Sequence, residues 1–148
     1  MSAKTIRFDR SKCTACCACA MACMDEKNTD VEQGDRAFRQ VYTEEVCRDG
    51  QVSFRFHSDS CIHCRVPACV TACEPGCLYK DTESGLVLYD TAICDGCGRC
   101  LKACRMGAIS LDRHGKIQKC DGCIERQRAG KTPACVRVCP TGALYMEE

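Results

Sequence analysis

An α+β fold with little regular secondary structure is the expected architecture of this chain, for three reasons. Nineteen of its 148 residues are cysteine, and sixteen of these fall into four groups of four with recurring spacing. Large apolar side chains are scarce, with no Trp, four Phe and four Tyr, so something besides a hydrophobic core must hold the chain together. The segments between the cysteine groups are short, alternate apolar with polar residues and are broken by turn residues, which leaves room for brief strands and single helical turns.

Cys13, Cys16, Cys19 and Cys23 set the pattern, C-x2-C-x2-C-x3-C. Three cysteines two residues apart wrap tightly and aim three sulfurs at one metal cluster, while the fourth has already turned away into a helix. This is the bacterial [4Fe-4S] spacing, in which the fourth thiolate serves a neighbouring cluster. The small residues Ala15, Ala18, Ala20 and Ala22 let the backbone approach the inorganic sulfides. Zinc and a disulfide framework are the rival readings of so many thiols, but zinc sites usually draw two ligands from each of two knuckles rather than three from one tight loop. Cys61, Cys64, Cys69 and Cys73 widen the spacing to C-x2-C-x4-C-x3-C. Cys94, Cys97, Cys100 and Cys104 repeat the first spacing unchanged, with Gly96 and Gly98 inside the loop, where close backbone approach is useful. The fourth group is Cys120 and Cys123 followed, after eleven residues, by Cys135 and Cys139.

The surroundings of these groups exclude several function classes. Residues 1–10 contain no apolar stretch and no twin arginine, so no secretion signal is visible and a reducing, cytoplasmic setting is expected, where an odd thiol count favours metal over disulfides. No run of eighteen apolar residues occurs, which predicts no membrane span. The formal net charge is +1; sixteen thiolates against four cluster cores of +2 each would take it to −7, and an acidic loaded protein is a poor match for nucleic acid. No Ser/His/acid order and no glycine-rich phosphate or dinucleotide loop is present, so a non-catalytic chain whose chemistry is one-electron transfer is expected.

Taken in order, Thr5 to Asp9 alternates as a short half-buried strand, and Asp9 or Ser11 turns the chain into the first cysteine loop. Met24 to Gly34 reads as the end of a short helix and an exposed loop. Residues 36–57 read as a hairpin, because Asp49-Gly50 lies between alternating segments; its plainest task is to cover a cluster, a specific docking role being the alternative. Leu78 to Leu88 gives two short strands across Thr82-Glu83-Ser84-Gly85, and Ala108 to Leu111 with Lys116 to Gln118 gives another pair around Arg113-His114-Gly115. Ile124 to Ala129 continues as a helix ending at Gly130, Pro133 opens the next turn, and Thr141 to Met146 ends in a strand.

Four cysteine quartets a few tens of residues apart form an internal repeat. Together with Cys61-Ile62-His63-Cys64, Pro67-Ala68-Cys69, Lys119-Cys120-Asp121-Gly122-Cys123 and Pro133-Ala134-Cys135-Val136-Arg137-Val138-Cys139-Pro140-Thr141-Gly142-Ala143-Leu144, this repeat resembles the four-cluster ferredoxin-like subunits of molybdopterin and tungstopterin oxidoreductases. That family includes the iron-sulfur subunits of dimethyl sulfoxide reductase, formate dehydrogenase and formate hydrogenlyase, and the small-subunit type of tungsten aldehyde oxidoreductases. The resemblance covers nearly the whole chain and implies two nested bacterial-ferredoxin-like modules around four [4Fe-4S] clusters. The outer module would comprise residues 1–57 plus 117–148, and the inner one residues 58–116. In the outer module one cluster would take Cys13, Cys16, Cys19 and Cys139, and its partner Cys120, Cys123, Cys135 and Cys23. In the inner module one would take Cys61, Cys64, Cys69 and Cys104, and the other Cys94, Cys97, Cys100 and Cys73. Proline usually follows the last cysteine in such proteins, whereas here Cys73 precedes Glu74 and Cys104 precedes Arg105. Relatives often carry long insertions or a membrane-anchoring tail, so this chain reads as a minimal, soluble version.

The resemblance further implies an electron-transfer role beside a large molybdenum- or tungsten-pterin catalytic subunit, with aldehyde or formate oxidation the favoured partner chemistry. A flavoprotein, a hydrogenase or further copies of the chain are other redox partners. The alternatives are a free polyferredoxin carrier for a hydrogenase or carbon monoxide dehydrogenase, and a zinc- or disulfide-stabilised binding module. Cys17, Cys47 and Cys77 lie outside the quartets and read as small buried hydrophobes, Cys77 being the one nearest a ligand loop. His63 is expected to hydrogen-bond around a cluster or to face solvent. Arg65, Arg99, Arg105 and Arg137 stand beside cysteines, where they either offset cluster charge or are solvated.

Overall fold

The computed structural model describes residues 4–147. The α+β expectation holds in its coarse form: among the described residues there are short antiparallel strand pairs and short helices, and no helix is long and apolar enough to cross a membrane.

β1 (Ile6–Phe8) pairs with β8 (Leu144–Met146), setting Phe8 opposite Leu144. The Asp9 carboxylate then accepts the Ser11 N–H at 3.0 Å and turns the chain through one 3-10 turn into the first cysteine loop. The same device recurs before the third group, where Asp90 accepts the Ala92 N–H at 2.9 Å. Each aspartate stands four residues ahead of the first cysteine of its group, so the repeat includes the approach to the loop as well as the loop itself.

α1 (Ala18–Glu26) buries Cys19 and Cys23, which are one helical turn apart on the same face. It packs on α5 (Ala134–Val138), which carries Cys135. Two half-buried ion pairs hold the far end of α1: Lys27 Nζ to Asp121 at 2.7 Å, and Glu26 to Arg126 of α4 (Ile124–Arg128) at 2.9 Å. α2 (Ala68–Thr71) packs in the same way on α3 (Arg99–Ala103).

The predicted hairpin is present as β2 (Gln40–Arg48) and β3 (Gln51–Asp59), in register from Gln40 opposite Asp59 to Arg48 opposite Gln51. Asp49 and Gly50 take φ of 50° and 75°, the two positive values that a tight hairpin turn of native twist requires. Only its base is buried, at Ser58 and the flanking Arg39 and Ser60. Two more hairpins, β4 (Leu78–Lys80) with β5 (Val87–Tyr89) and β6 (Ile109–Leu111) with β7 (Ile117–Lys119), supply most of the apolar interior. Leu78, Val87, Ile109 and Ile117 pack directly against Cys77, Cys94 and Cys100. Leu144 packs against Cys19 and Cys135, with Ile6, Phe8 and Val41 around them. Among the described residues the apolar side chains thus form small separate clusters, two of them wrapped around thiols.

Candidate metal centres

The loops that carry the thiols share a backbone feature that their sequences hide. Two residues after the first cysteine of each group the chain enters the left-handed region: Ala15 (φ 55°), His63 (φ 51°), Gly96 (φ 73°) and Gly122 (φ 71°). That turn points an N–H back at the cysteine just passed. Ala15, His63 and Gly122 each donate to the sulfur of Cys13, Cys61 and Cys120 respectively, all at 3.4 Å. Where the residue is not glycine the conformation costs about 1–2 kcal/mol, which something in the loop must offset. In two of the groups an aspartate braces the turn, Asp95 accepting the Cys97 N–H at 3.1 Å and Asp121 the Cys123 N–H at 2.9 Å. Gly96 also has no room for a side chain, since a Cβ there would lie 2.5 Å from the Gly115 carbonyl oxygen.

Folding brings together cysteines that are far apart in sequence. Cys13, Cys16, Cys19 and Cys139 line one cavity together with Val41 and Ser58 at the hairpin base. Cys61, Cys64, Cys69 and Cys104 line a second, of about 450 Å³. Cys120, Cys123, Cys135 and Cys23 are all buried, and the Cys23 thiol is pushed up to about 12 by burial and then by its neighbours Cys120, Cys135 and Cys123. Burial, with Cys120 and Cys135 nearby, also raises Cys123, to about 11. Cys94 and Cys100 are buried beside half-buried Cys73, and burial followed by the proximity of Cys73 and Cys94 raises Cys100. Cys97 completes that loop at the surface.

Among the described residues no three Cys, His, Asp or Glu side chains close to the spacing of a single metal ion. Tetrahedral zinc at about 2.3 Å from each sulfur needs sulfurs within about 4 Å of one another. Groups of four thiols with backbone N–H groups aimed at sulfur and left-handed turns that bring the main chain close fit a sulfide-containing core. An orphaned donor points the same way. His63 is buried, its Nδ1 accepts the Val87 N–H at 3.0 Å, and its proton is therefore on Nε2. That atom has no partner, and a Cβ on Gly122 in the Cys120 loop would lie 3.6 Å from it. Burial, with the Lys119 charge adding to it, pushes His63 down to about 3, so the ring is neutral.

Several residues sit elsewhere than their sequence neighbours imply. Cys17 and Cys47 are exposed and not buried: Cys17 occupies a left-handed position (φ 64°) at the start of α1, and Cys47 lies on the outer part of the hairpin. Cys77 is buried, its sulfur 3.2 Å from that of Cys73. Arg65, Arg99, Arg105 and Arg137 are all exposed, because the concave side of each loop is taken by sulfur; Arg99 pairs with Glu74 at 2.5 Å. Among the described residues the buried cations are instead Arg39, 4 % exposed, and Lys119, 0 % exposed. Arg39 donates to the Ser58 carbonyl at 2.7 Å and to Ser60 Oγ at 2.8 Å. Neither was marked out by its neighbours as a charge at the thiols, although Lys119 directly precedes Cys120.

Loops of this backbone shape carrying grouped thiols define an iron-sulfur protein of the [4Fe-4S] class. Comparison with known proteins makes this specific: a family model described as a 4Fe-4S dicluster domain matches residues 52–148, and the chain belongs to that family. It is 35% identical over 147 residues to the B subunit of the anaerobic dimethyl sulfoxide reductase of Haemophilus influenzae, covering 93% of this chain and 70% of that one. The thiosulfate reductase electron transfer subunit PhsB of Salmonella typhi is 38% identical over 139 residues, 92% of this chain and 71% of that one. The iron-sulfur subunit of the nitrate-inducible formate dehydrogenase of Escherichia coli is 28% identical over 152 residues, 93% of this chain and 52% of that one. The group expected to bind here is therefore the [4Fe-4S] cluster.

Proposed function

We propose that this chain relays electrons one at a time through four [4Fe-4S] clusters, between a molybdenum- or tungsten-pterin catalytic subunit and a second redox partner. When bound, each cluster supplies a reversible one-electron couple. The proposed ligand sets are Cys13, Cys16, Cys19 and Cys139; Cys120, Cys123, Cys135 and Cys23; Cys61, Cys64, Cys69 and Cys104; and Cys94, Cys97, Cys100 and Cys73. The observation that carries this reading is the gathering of Cys23 with Cys120, Cys123 and Cys135, about a hundred residues away in sequence, in one buried group. The matched family region contains only three of the four quartets, and Cys13 to Cys23 lies ahead of it, which supports more clusters than that region alone would hold.

Packing of α1 on α5 supports an outer module made of the two ends of the described chain, and packing of α2 on α3 an inner one. Within this reading we draw the boundary after Lys119 in place of residue 116, a choice that the pairing of β7 with β6 supports. For the catalytic partner we favour aldehyde or formate oxidation; the relatives' own names speak of a sulfoxide, thiosulfate and formate.

Anaerobic analysis is expected to find about sixteen iron and sixteen sulfide per chain, and Cys23→Ala to leave three intact clusters. Two clusters or fewer in the unmodified protein would reject the reading. Anaerobic capture of the tagged chain from its own cells, with metal analysis of any large subunit that co-purifies, tests the partner.

A further inference from the structure

We propose that Lys119 and Arg39 are built-in counter-charges placed in two successive gaps between clusters, holding the clusters on either side at more readily reduced potentials than they would have without these two charges. The inference rests on the ligand sets proposed above.

Both side chains are buried, and among the described residues neither forms an ion pair with a carboxylate. Burying an unpaired charge is strongly unfavourable, so its counter-charge must come from something else nearby. What surrounds these cations is sulfur. Lys119 Nζ donates to the Cys61 sulfur at 3.6 Å, to the Cys120 carbonyl at 2.8 Å and to the Val87 carbonyl, and it stands 5.7 Å from the centre of the Tyr89 ring. Three acceptors around one nitrogen match the three N–H bonds of an ammonium; a neutral amine would turn its lone pair on one of them. The guanidinium of Arg39 is charged at any relevant pH. It lies among Cys135, Cys120 and Cys19 while its N–H groups bond Ser58 and Ser60.

The two positions are not equivalent, and their difference gives the inference its signature. Lys119 touches Cys61 in one module and adjoins Cys120 in the other, so it stands where an electron crosses between modules. Arg39 stands between the Cys120 set and the Cys13 set, inside the outer module: it bonds the Ser58 hydroxyl at 3.1 Å, that hydroxyl lies 3.4 Å from the Cys19 sulfur, and Cys19 packs against Cys135. The Cys120 set therefore borders both cations, the Cys61 and Cys13 sets one each, and the Cys94 set neither of the two, its own neighbour being the half-buried Lys116, which donates to the Cys94 carbonyl. Four thiolates on a +2 core leave a cluster at −2, and one more electron takes it to −3. A fixed positive charge at close range favours the extra electron, and one placed in the gap also weakens the repulsion between two reduced neighbours.

The test is a potentiometric titration of the intact, cluster-loaded protein, followed by electron paramagnetic resonance, on Lys119→Met and Arg39→Gln. Each variant is expected to lower the reduction equilibrium of two of the four clusters at least tenfold, about 59 mV for one electron. One cluster is expected to respond in both variants and one in neither, while Arg39→Lys restores the unmodified values. Lys102→Met, which removes the same charge from an exposed site, is expected to shift no cluster by as much. Equal shifts in all four clusters, or none, would overturn the inference. If Lys119→Met loads poorly, Arg39→Gln and Arg39→Lys carry the same decision. Failure of the unmodified protein to hold four clusters would instead reject the proposed function.

Discussion

Ala15 holds a left-handed conformation that alanine disfavours, and it does so in order to direct its N–H at the Cys13 sulfur. The strain is worth about 1 kcal/mol. Ala15→Gly is therefore expected to keep every cluster and to stabilise the loaded protein by about 1 kcal/mol, read as a rise in the anaerobic thermal midpoint. Ala15→Val puts a β-branched side chain where even alanine is strained, and is expected to lower the iron content. His63 is the same problem solved differently, a histidine accepted at positive φ whose ring is then buried beneath Val87. Nothing in the local sequence marks either position, because Ala, His, Gly and Gly share the role across the four loops. What they share is geometry relative to the preceding cysteine.

At the scale of elements, the long hairpin divides into two parts with different physics. Its base carries Ser58, whose hydroxyl lies 3.4 Å from the Cys19 sulfur, and Val41, which faces the same cavity. The outer part is supported mainly by its own pairing, by Tyr42 stacked on His57 at 4.4 Å, and by the bond from His57 to Glu44 at 3.1 Å, while Val52 and Phe54 face outward. Shortening it by joining Thr43 to Phe56 through Asn-Gly is expected to leave iron content unchanged and to shift stability by no more than about 0.5 kcal/mol, measured by anaerobic melting. A loss of iron would show that the outer part also shields a cluster. The Asp49-Gly50 turn and the alternation on either side were legible in the sequence, and both strands formed. The division between the base and the outer part was not, because it depends on what packs beneath the base.

For the molecule as a whole, the apolar residues are too few and too scattered to fold it unaided. The small clusters around Leu78, Leu144 and Leu86 are separate, and buried thiols make up much of the first two. Removing iron and sulfide under anaerobic, reducing conditions is expected to abolish the cooperative thermal transition and most of the far-ultraviolet circular dichroism, as in small domains whose metal supplies their folding free energy. A stripped protein that still melts cooperatively would contradict this account. The burial that raises Cys23 and Cys123 acts in the same sense, since empty groups of buried thiols stay protonated and must lose their protons when a cluster binds.

The amino-acid order alone decides that cysteine dominates, that it comes in quartets, and that short strands and helical turns lie between them, because ligand spacing and turn chemistry are local properties. It also carries the membership in a 4Fe-4S family, since the loops around Cys61, Cys120 and Cys135 are nearly continuous motifs. Tertiary structure decides which distant thiols meet, as Cys23 meets the Cys120 loop through the packing of α1 on α5. It alone decides which positive charges are buried: the arginines beside the cysteines face water, whereas Arg39 and Lys119, one in a connecting segment and one at the end of a strand, are enclosed. Burial depends on the solid angle that neighbours cover, and no stretch of consecutive residues contains that quantity.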